Sequence, residues 1–500
     1  MPRAFYPIEA YGDDPNAAYR LLPFRFMRLD TGEELLVNEA GEFLLAPIGT
    51  TDDIVRRRIA PESEVYASLK AKQFITDQSS SPLLDLLATK YRTKQSFMEG
   101  FTKLHIFVVT LRCDHSCHYC QVSRQTVDKN TYDMSFSTAE KSVDMMMKSP
   151  SSHLTLEFQG GEPLLAFDVI RYVVPLAKKQ ANRHGKSLDI VVTTNLANAT
   201  DDMLRYFADE NVKVSTSLDG PAFLHNTNRP RPGGNSYELT INSIERARRI
   251  LGHDRVAALM TTTQLSLQHP IEIIDEYVKH DFHSIFLRPI SPYGFALKTR
   301  KKTGYQIDAF LDFYRTGLAH IIEINKKGYD LAEVYAKILL TKILTPYGTG
   351  FVDLQSPAGA GISVLVYNYD GDIYATDESR MLAEMGDYTF RLGNVHTHSH
   401  RNIFTNEPFL NLMSASCNQA LTGCADCALQ TFCGSDPVFN HATQADIFGH
   451  RPTSDFCRRN MEILKHLFGM ISKQDTELMR IFFAWIRNSS LREISEQAPS

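Results

Sequence analysis

Residues 103–120 read KLHIFVVTLRCDHSCHYC, and this stretch decides the fold. Its first half, Lys103 to Thr110, is a run of apolar and β-branched residues, the composition of a strand buried on both faces of a parallel sheet. The loop that follows carries Cys113, Cys117 and Cys120 at C-x3-C-x2-C spacing. Five more β-rich runs follow at 153–159, 188–195, 212–219, 255–262 and 284–290. Helical stretches separate them. One opens with Ser137-Thr138-Ala139-Glu140 at capping-box spacing and continues with Val143, Met146 and Met147 on one face. Met145 to Met147 read as core. Six βα units predict an α/β fold, a partial (β/α)6 TIM-like barrel, smaller than an eight-unit barrel of roughly 250 residues.

In parallel α/β folds, ligands bind at the carboxyl ends of the strands. That rule turns the strand order into a map of the site. The first loop holds the three cysteines and the second is Gly160-Gly161-Glu162-Pro163. The third strand ends at Thr193, Thr194 and Asn195, the fourth at Ser217, Asp219 and Gly220. Cysteines and polar groups thus fall on one rim.

Outward from this core, residues 1–95 are expected to form an N-terminal α+β module. It has strands around the turn Asp30-Thr31-Gly32, a break at Gly41, and a helical second half interrupted at Ser79–Pro82. Residues 96–320 make the barrel core, 321–470 bridging helices and a cysteine-rich segment, and 471–500 a terminal amphipathic helix around Phe482 and Trp485 with a polar tail. Within 321–470, VLVYNY and DIYAT flank Asp370-Gly371, a tight hairpin signal. The chain has no fixed-period repeat.

Composition excludes several classes. With 43% hydrophobic residues and 10% aromatics, 500 residues can bury a large core, against wholesale disorder. A formal net charge of −5 argues against an electrostatic nucleic-acid binder. No apolar run approaches the roughly 20 residues of a membrane helix, and the start MPRAFYPIEAYGDD lacks a secretory pattern, so a cytoplasmic location is expected.

Eight cysteines are too few for a disulfide scaffold, and they fall in two groups, three at 113–120 and five from 417 to 457. Three thiolates on one tight loop suit a four-iron cluster with one iron left for a non-protein ligand. Zinc completed by His115 or His118 is the alternative, without the usual paired spacing. In the late group, Cys424, Cys427, Cys433 and Cys457 make a four-thiolate set that could hold a cluster or a structural zinc, leaving Cys417 over as a structural or free thiol. His396, His398 and His400 would share one face if extended, though a solvated strand is the plainer reading. Lys298, Arg300, Lys301 and Lys302 read as a solvated basic run.

C-x3-C-x-aromatic-C after a first strand, with Gly-Gly-Glu-Pro after the second, resembles the radical S-adenosylmethionine (SAM) superfamily. That resemblance implies that Cys113, Cys117 and Cys120 hold a catalytic [4Fe–4S] cluster whose open iron binds SAM. It implies that Tyr119 lies near the adenine and that Gly160, Gly161 and Glu162 hold the methionine amino group; Asn195, Ser217 and Asp219 are further ribose or substrate-pocket candidates. Cys424-x2-Cys427-x5-Cys433 with distal Cys457 resembles the SPASM domain, a C-terminal cysteine-rich iron–sulfur module with auxiliary [4Fe–4S] clusters. The departures are Pro437, Thr376 and the Ser356-Pro357-Ala358 segment, where that family carries cysteine. All three belong to one auxiliary site, so two clusters are expected in total, not three.

Further stretches, among them Leu287–Ala296 and Asp377–Leu382, resemble the His-Xaa-Ser system radical SAM maturases. This implies oxidative modification of a ribosomally made precursor peptide or small protein (a cross-link or Cα/Cβ chemistry). A reductant such as flavodoxin or ferredoxin and a companion radical SAM protein are the implied partners. Asp377, after the lost hairpin cysteine, would be the catalytic proton acceptor; the plainer reading is a pairing with Arg380. The N-terminal module could accept a peptide on a strand edge or merely pack. The rivals are a sulfatase-type formylglycine maturase and, from another class, a non-catalytic iron–sulfur or zinc protein that binds peptide or relays electrons.

Overall fold

The computed structural model describes residues 18–77, 81–120, 122, 124–125, 128–294, 303–491 and 493. The basic run at 298–302 and part of the break at 79–82 lie outside them.

The first barrel strand, β1 (Leu104–Thr110), is buried along almost its whole length, with Phe107, Val108 and Val109 at most 1% exposed. Parallel strands follow it outward: β2 (His153–Gly160), β3 (Ser187–Thr193), β4 (Lys213–Ser217) and β5 (Val256–Leu259). Their register is continuous, Phe107 beside Phe158, Phe158 beside Val192 and Val192 beside Val214. Helices cover the outer face. Helix Phe167–Arg183 buries Val169, Ile170, Val173, Val174, Ala177 and Ala181, the stripe a 3.6-residue period requires. Helix Phe136–Met147 buries all three of Met145, Met146 and Met147. Its cap is Ser135, which accepts from the Thr138 amide, so the expected box at Ser137–Glu140 is displaced by one half-turn.

Two expectations are corrected. The sixth run, 284–290, is regular only at Ser284–Ile285, which pairs with Ala332–Glu333. It meets the barrel through one bond, from the Thr262 amide to the Arg288 carbonyl (2.8 Å). Arg288, Pro289 and Pro292 explain this: a segment broken by prolines cannot donate a full ladder. The second correction concerns the cysteine-rich segment, which shares the barrel's sheet. Strand β6 (Val364–Tyr367) runs parallel to β1, with Val364 beside Leu104, and β7 (Asp372–Tyr374) and β8 (Arg391–Asn394) extend it antiparallel. The sheet thus has eight strands in the order β5-β4-β3-β2-β1-β6-β7-β8. β6 and β7 join through Asp370-Gly371 as the sequence predicts, Gly371 taking φ 88°.

The N-terminal module is α+β. Three antiparallel strands (Phe24–Arg28, Glu33–Asn38, Phe43–Pro47) sit beside helices Glu64–Ala71 and Ser81–Lys94. It packs on the cysteine-rich segment: Arg25 donates to the Ala425 carbonyl and Phe43 meets Phe468 edge-on at 5.2 Å. Helix Thr476–Arg487 closes the chain, burying Phe482 and Trp485. No helix among the described residues is long and apolar enough to cross a membrane.

Candidate active site

A cavity of about 480 Å³ opens at the carboxyl ends of β1 to β5 and reaches to the cysteine-rich segment. Its volume lies in the range of small-ligand sites. The three early cysteines and Asp377 all line it.

The cysteine loop is rooted by Arg112, which grips Asp133 through Nε (2.7 Å) and Nη2 (2.6 Å), while Thr110 donates its hydroxyl to the same carboxylate (2.6 Å). The Gly-Gly turn is clamped to this root: the Gly161 amide bonds the Thr110 carbonyl (2.8 Å) and the Glu162 amide the Arg112 carbonyl (2.7 Å). A Cβ at Gly160 would strike the Thr110 oxygen and one at Gly161 the Arg112 oxygen. The two glycines therefore let the second loop lie directly on the first, with both facing the cavity.

Glu162 does something other than face a ligand. It is fully buried behind the cavity wall, accepting from the Leu164 amide (3.0 Å), the Thr194 hydroxyl (2.6 Å) and the Asn195 amide (2.8 Å). Burial pushes its carboxyl up to about 7 against these bonds. Asp219 is likewise buried, outside the lining, and takes the Tyr119 hydroxyl on both oxygens (2.9 and 2.8 Å). Arg229 Nη1 donates to the same hydroxyl (2.6 Å). Both acids were expected among the ligand contacts; their carboxylates instead fix the strand-end loops and the Tyr119 ring. Tyr119, Gly160, Gly161, Asn195 and Ser217 do line the cavity.

His115 is also spoken for. Its Nδ1 lies 2.9 Å from Asp114 and 3.0 Å from Asn195, its Nε2 2.9 Å from Ser236. With both ring nitrogens engaged, it does not complete a zinc site with the three thiols. Asp114, Arg229 and Ser236 carry no motif signal in the sequence; only the return of the chain through 219–236 brings them here.

Cys113, Cys117 and Cys120 are free, partly accessible thiols. Burial pushes the Cys117 thiol up to about 11 and raises that of Cys113 further. Buried thiols of this kind give up protons only to a strongly positive partner. Three such sulfurs on one loop fit a four-iron cluster with one iron lacking a protein ligand.

The late set shares one neighbourhood. Burial raises all four thiols of Cys424, Cys427, Cys433 and Cys457, and repulsion from others of the set adds to it at Cys424, Cys427 and Cys457. Cys427 closes a turn on the Cys424 carbonyl (3.1 Å), and Cys457 sits in the first turn of helix Asp455–Ile471 behind its Ser454 cap. Cys417 is shifted by burial alone, without influence from the four. Among the described residues no three His, Cys, Asp or Glu side chains converge on the point one ion would fill; a cubane spreads its thiolates around a cube.

The three departures from the seven-cysteine pattern have structural employment. Thr376 caps helix Asp377–Ala383 in a reciprocal box with Ser379. Pro437 is the first residue of helix Pro437–Gln444, and Asp436 caps it. Ser356 donates to Gln419 (2.7 Å) and accepts from the Asn418 amide (2.9 Å). Asp377 lines the cavity and also receives Arg380 Nε (3.1 Å). His396, His398 and His400 do not share a face: His396 meets Thr138 (3.1 Å), His398 turns back on Asn394 (3.2 Å), and His400 starts a helix.

The Radical SAM superfamily model matches residues 107–277. A cysteine-type anaerobic sulfatase-maturating enzyme of Clostridium perfringens is 23% identical over 318 residues, covering 60% of this chain and 80% of that protein. Among solved structures, AdoMet-bound anSMEcpe overlays with a TM-score of 0.62 at 17% identity, covering 77% of this chain and 98% of that one. Streptococcus suis SuiB bound to precursor peptide SuiA overlays at 0.52 and 13%, covering 88% and 99%. Residues 107–277 thus match the Radical SAM superfamily model, and the chain shares its fold with anSMEcpe and SuiB.

Proposed function

We propose that this protein oxidises a ribosomally made precursor peptide or small protein, forming a cross-link or altering a Cα or Cβ centre. The observation that carries the reading is the one cavity that Cys113, Cys117, Cys120 and Asp377 line together. Cys113, Cys117 and Cys120 would hold the catalytic [4Fe–4S] cluster, and Cys424, Cys427, Cys433 and Cys457 an auxiliary one. With SAM bound and an electron from a flavodoxin- or ferredoxin-like donor, the first cluster supplies a 5′-deoxyadenosyl radical that removes a substrate hydrogen atom. The chain's own task is placement. Tyr119, held by Asp219 and Arg229, presents a fixed ring to the nucleoside, and the Gly160–Gly161 backbone leaves room for the amino-acid end. Apolar walls around Phe286, Leu287 and Met381 keep water from the reactive centre. Asp377, 17% exposed on the cavity lining, would accept the proton lost when the substrate radical closes its new bond, and the remaining electron would pass to the cluster held by Cys424, Cys427, Cys433 and Cys457.

The sulfatase-type alternative draws on the Clostridium perfringens likeness. The conversion of Thr376, Pro437 and Ser356 to caps and hydroxyl bonds favours the two-cluster reading over it. The N-terminal sheet, with Phe26 exposed on its edge strand, offers a peptide a place to dock. To test the proposal, the anaerobically reconstituted protein is incubated with SAM, reductant and small peptides encoded beside it. A peptide product lighter by two hydrogens is expected. An aldehyde trapped by a hydrazide on a Cys- or Ser-containing sulfatase peptide would establish the alternative, and 5′-deoxyadenosine with no peptide change from either set would refute both.

A further inference from the structure

The cavity also carries charged groups that the steps above leave unused. Asp353 comes from the short turn Val352–Leu354, Glu378 from the first turn of helix Asp377–Ala383, and Asp436 from the cap of helix Pro437–Gln444. Three separate elements therefore bring carboxylates to one space, and all three line it. Asp377, engaged by Arg380, lines it too, and Arg288 and Arg459 bring two guanidiniums to the same lining. Asp436 spends one oxygen on the Phe439 amide (2.9 Å).

Amid these acids stands Tyr293, 1% exposed, whose hydroxyl has no hydrogen-bond partner among the described residues. Asp436, Glu378, Asp353 and Arg459 all act on it electrostatically. A buried phenol without a partner is costly, and one that lines a cavity can be satisfied by a bound group. The walls beside it are aromatic: Phe439 and Phe456 lie 5.9 Å apart, and Arg459 stacks over Phe456 at 5.1 Å. Burial, followed by repulsion from the neighbouring acids, raises the carboxyls of Glu378 and Asp436, and burial alone raises that of Asp353. Buried acids crowded in this way gain from a cationic partner.

A single metal ion does not answer this need, since among the described residues no three acidic, cysteine or histidine side chains converge on a point. An organic cation on an apolar stem does: its charged head reaches several separated acceptors while its methylenes lie against aromatic rings. Resting on the peptide-oxidising function above, we propose that Asp353, Glu378, Asp436 and Tyr293 form a specificity pocket for a lysine or arginine side chain of the substrate, anchored beside the residue that is oxidised. The acids pair with the ammonium or guanidinium, Tyr293 Oη accepts from it, and Phe439 and Phe456 flank its stem. The pocket fixes which residue of the peptide reaches the radical.

The test uses the full chain, reconstituted and SAM-bound under anaerobic conditions, with acetylated and amidated tripeptides Gly-X-Gly where X is lysine, arginine, norleucine or glutamate. Titration calorimetry at low salt should show the lysine and arginine peptides binding about tenfold or more tighter than norleucine, with glutamate weakest. That preference should shrink several-fold in Glu378→Gln and in Asp353→Asn, and its salt dependence should weaken. Equal binding of lysine and norleucine by the wild type overturns the pocket without any variant needing to fold; so does a preference that survives both substitutions. SAM cleavage by the wild type is read separately. Basic preference without SAM cleavage leaves the pocket standing and sinks the proposed function, whereas cleavage with no preference removes the pocket alone.

Discussion

At the scale of single residues, the functional groups divide into those that touch the cavity and those that hold them still. Asp377 lines the cavity, 17% exposed, and it keeps Arg380 as a partner. Asp377→Asn keeps the shape and removes the base. The yield of oxidised peptide per 5′-deoxyadenosine should fall about a hundredfold or more, as loss of a general base ordinarily costs, and quantifying both products by chromatography checks it. Cys417 feels none of the four late thiols. Cys417→Ser should leave the iron content of the reconstituted protein unchanged, whereas Cys433→Ser should remove about four irons. These roles are legible in different degrees. Cysteine spacing names the ligands because thiolates must come from a short loop. Glu162 and Asp219, by contrast, carry the residue types of ligand contacts, but burial assigns them to the scaffold. Spacing along a chain reports neither burial nor the direction of a side chain. Asp353, Glu378, Asp436 and Tyr293 went unseen for a similar reason, since four distant segments supply them.

Secondary elements give two further tests. Helices and strands of the core are legible because their apolar periods are strong, as in Phe167–Arg183; the prolines after Arg288 undo the sixth strand and were visible, but their effect depends on whether a neighbour needs the missing amides. The loop contact at Gly160–Gly161 is tighter. Gly161→Ala drives a methyl into the Arg112 carbonyl and should cost about 1–3 kcal/mol, read as a lowered denaturation midpoint of the apo protein together with poorer iron uptake. Within β1, His105 is fully buried, donating Nε2–H to the Thr102 carbonyl (2.9 Å) and accepting the Tyr367 hydroxyl on Nδ1 (3.1 Å). Burial depresses its pKa to about 3 from the ordinary 6.5. Between those values the unfolded chain binds a proton that the folded chain refuses. Stability is therefore fully present above pH 6.5 and declines as the pH falls toward 3, at a slope of at most about 1.4 kcal/mol per unit from this group. Urea titrations from pH 7 to 5 should show that slope, shallower in His105→Asn.

On the scale of the molecule, one eight-stranded sheet explains why the early cysteines and the later acids share a cavity. β6 lies parallel to β1, so the cysteine-rich segment is stitched to the strand that leads into the early cysteines. The sequence shows two modules; the seam between them is a backbone ladder, which no side-chain pattern announces. Through that seam Thr376, Asp377 and Glu378, just beyond β7, are brought to the cavity that the early cysteines also line. The central claim is that three thiols leave one iron open to SAM while four others hold a separate, closed cluster. Its most direct test compares the anaerobically reconstituted wild type with the combined Cys113→Ala, Cys117→Ala and Cys120→Ala variant, counting iron and measuring 5′-deoxyadenosine after reduction with SAM present. About eight irons and nucleoside formation are expected for the wild type, and about four irons with none formed for the variant. A wild type that holds its iron yet leaves SAM intact, or a variant that still cleaves it, would contradict the account.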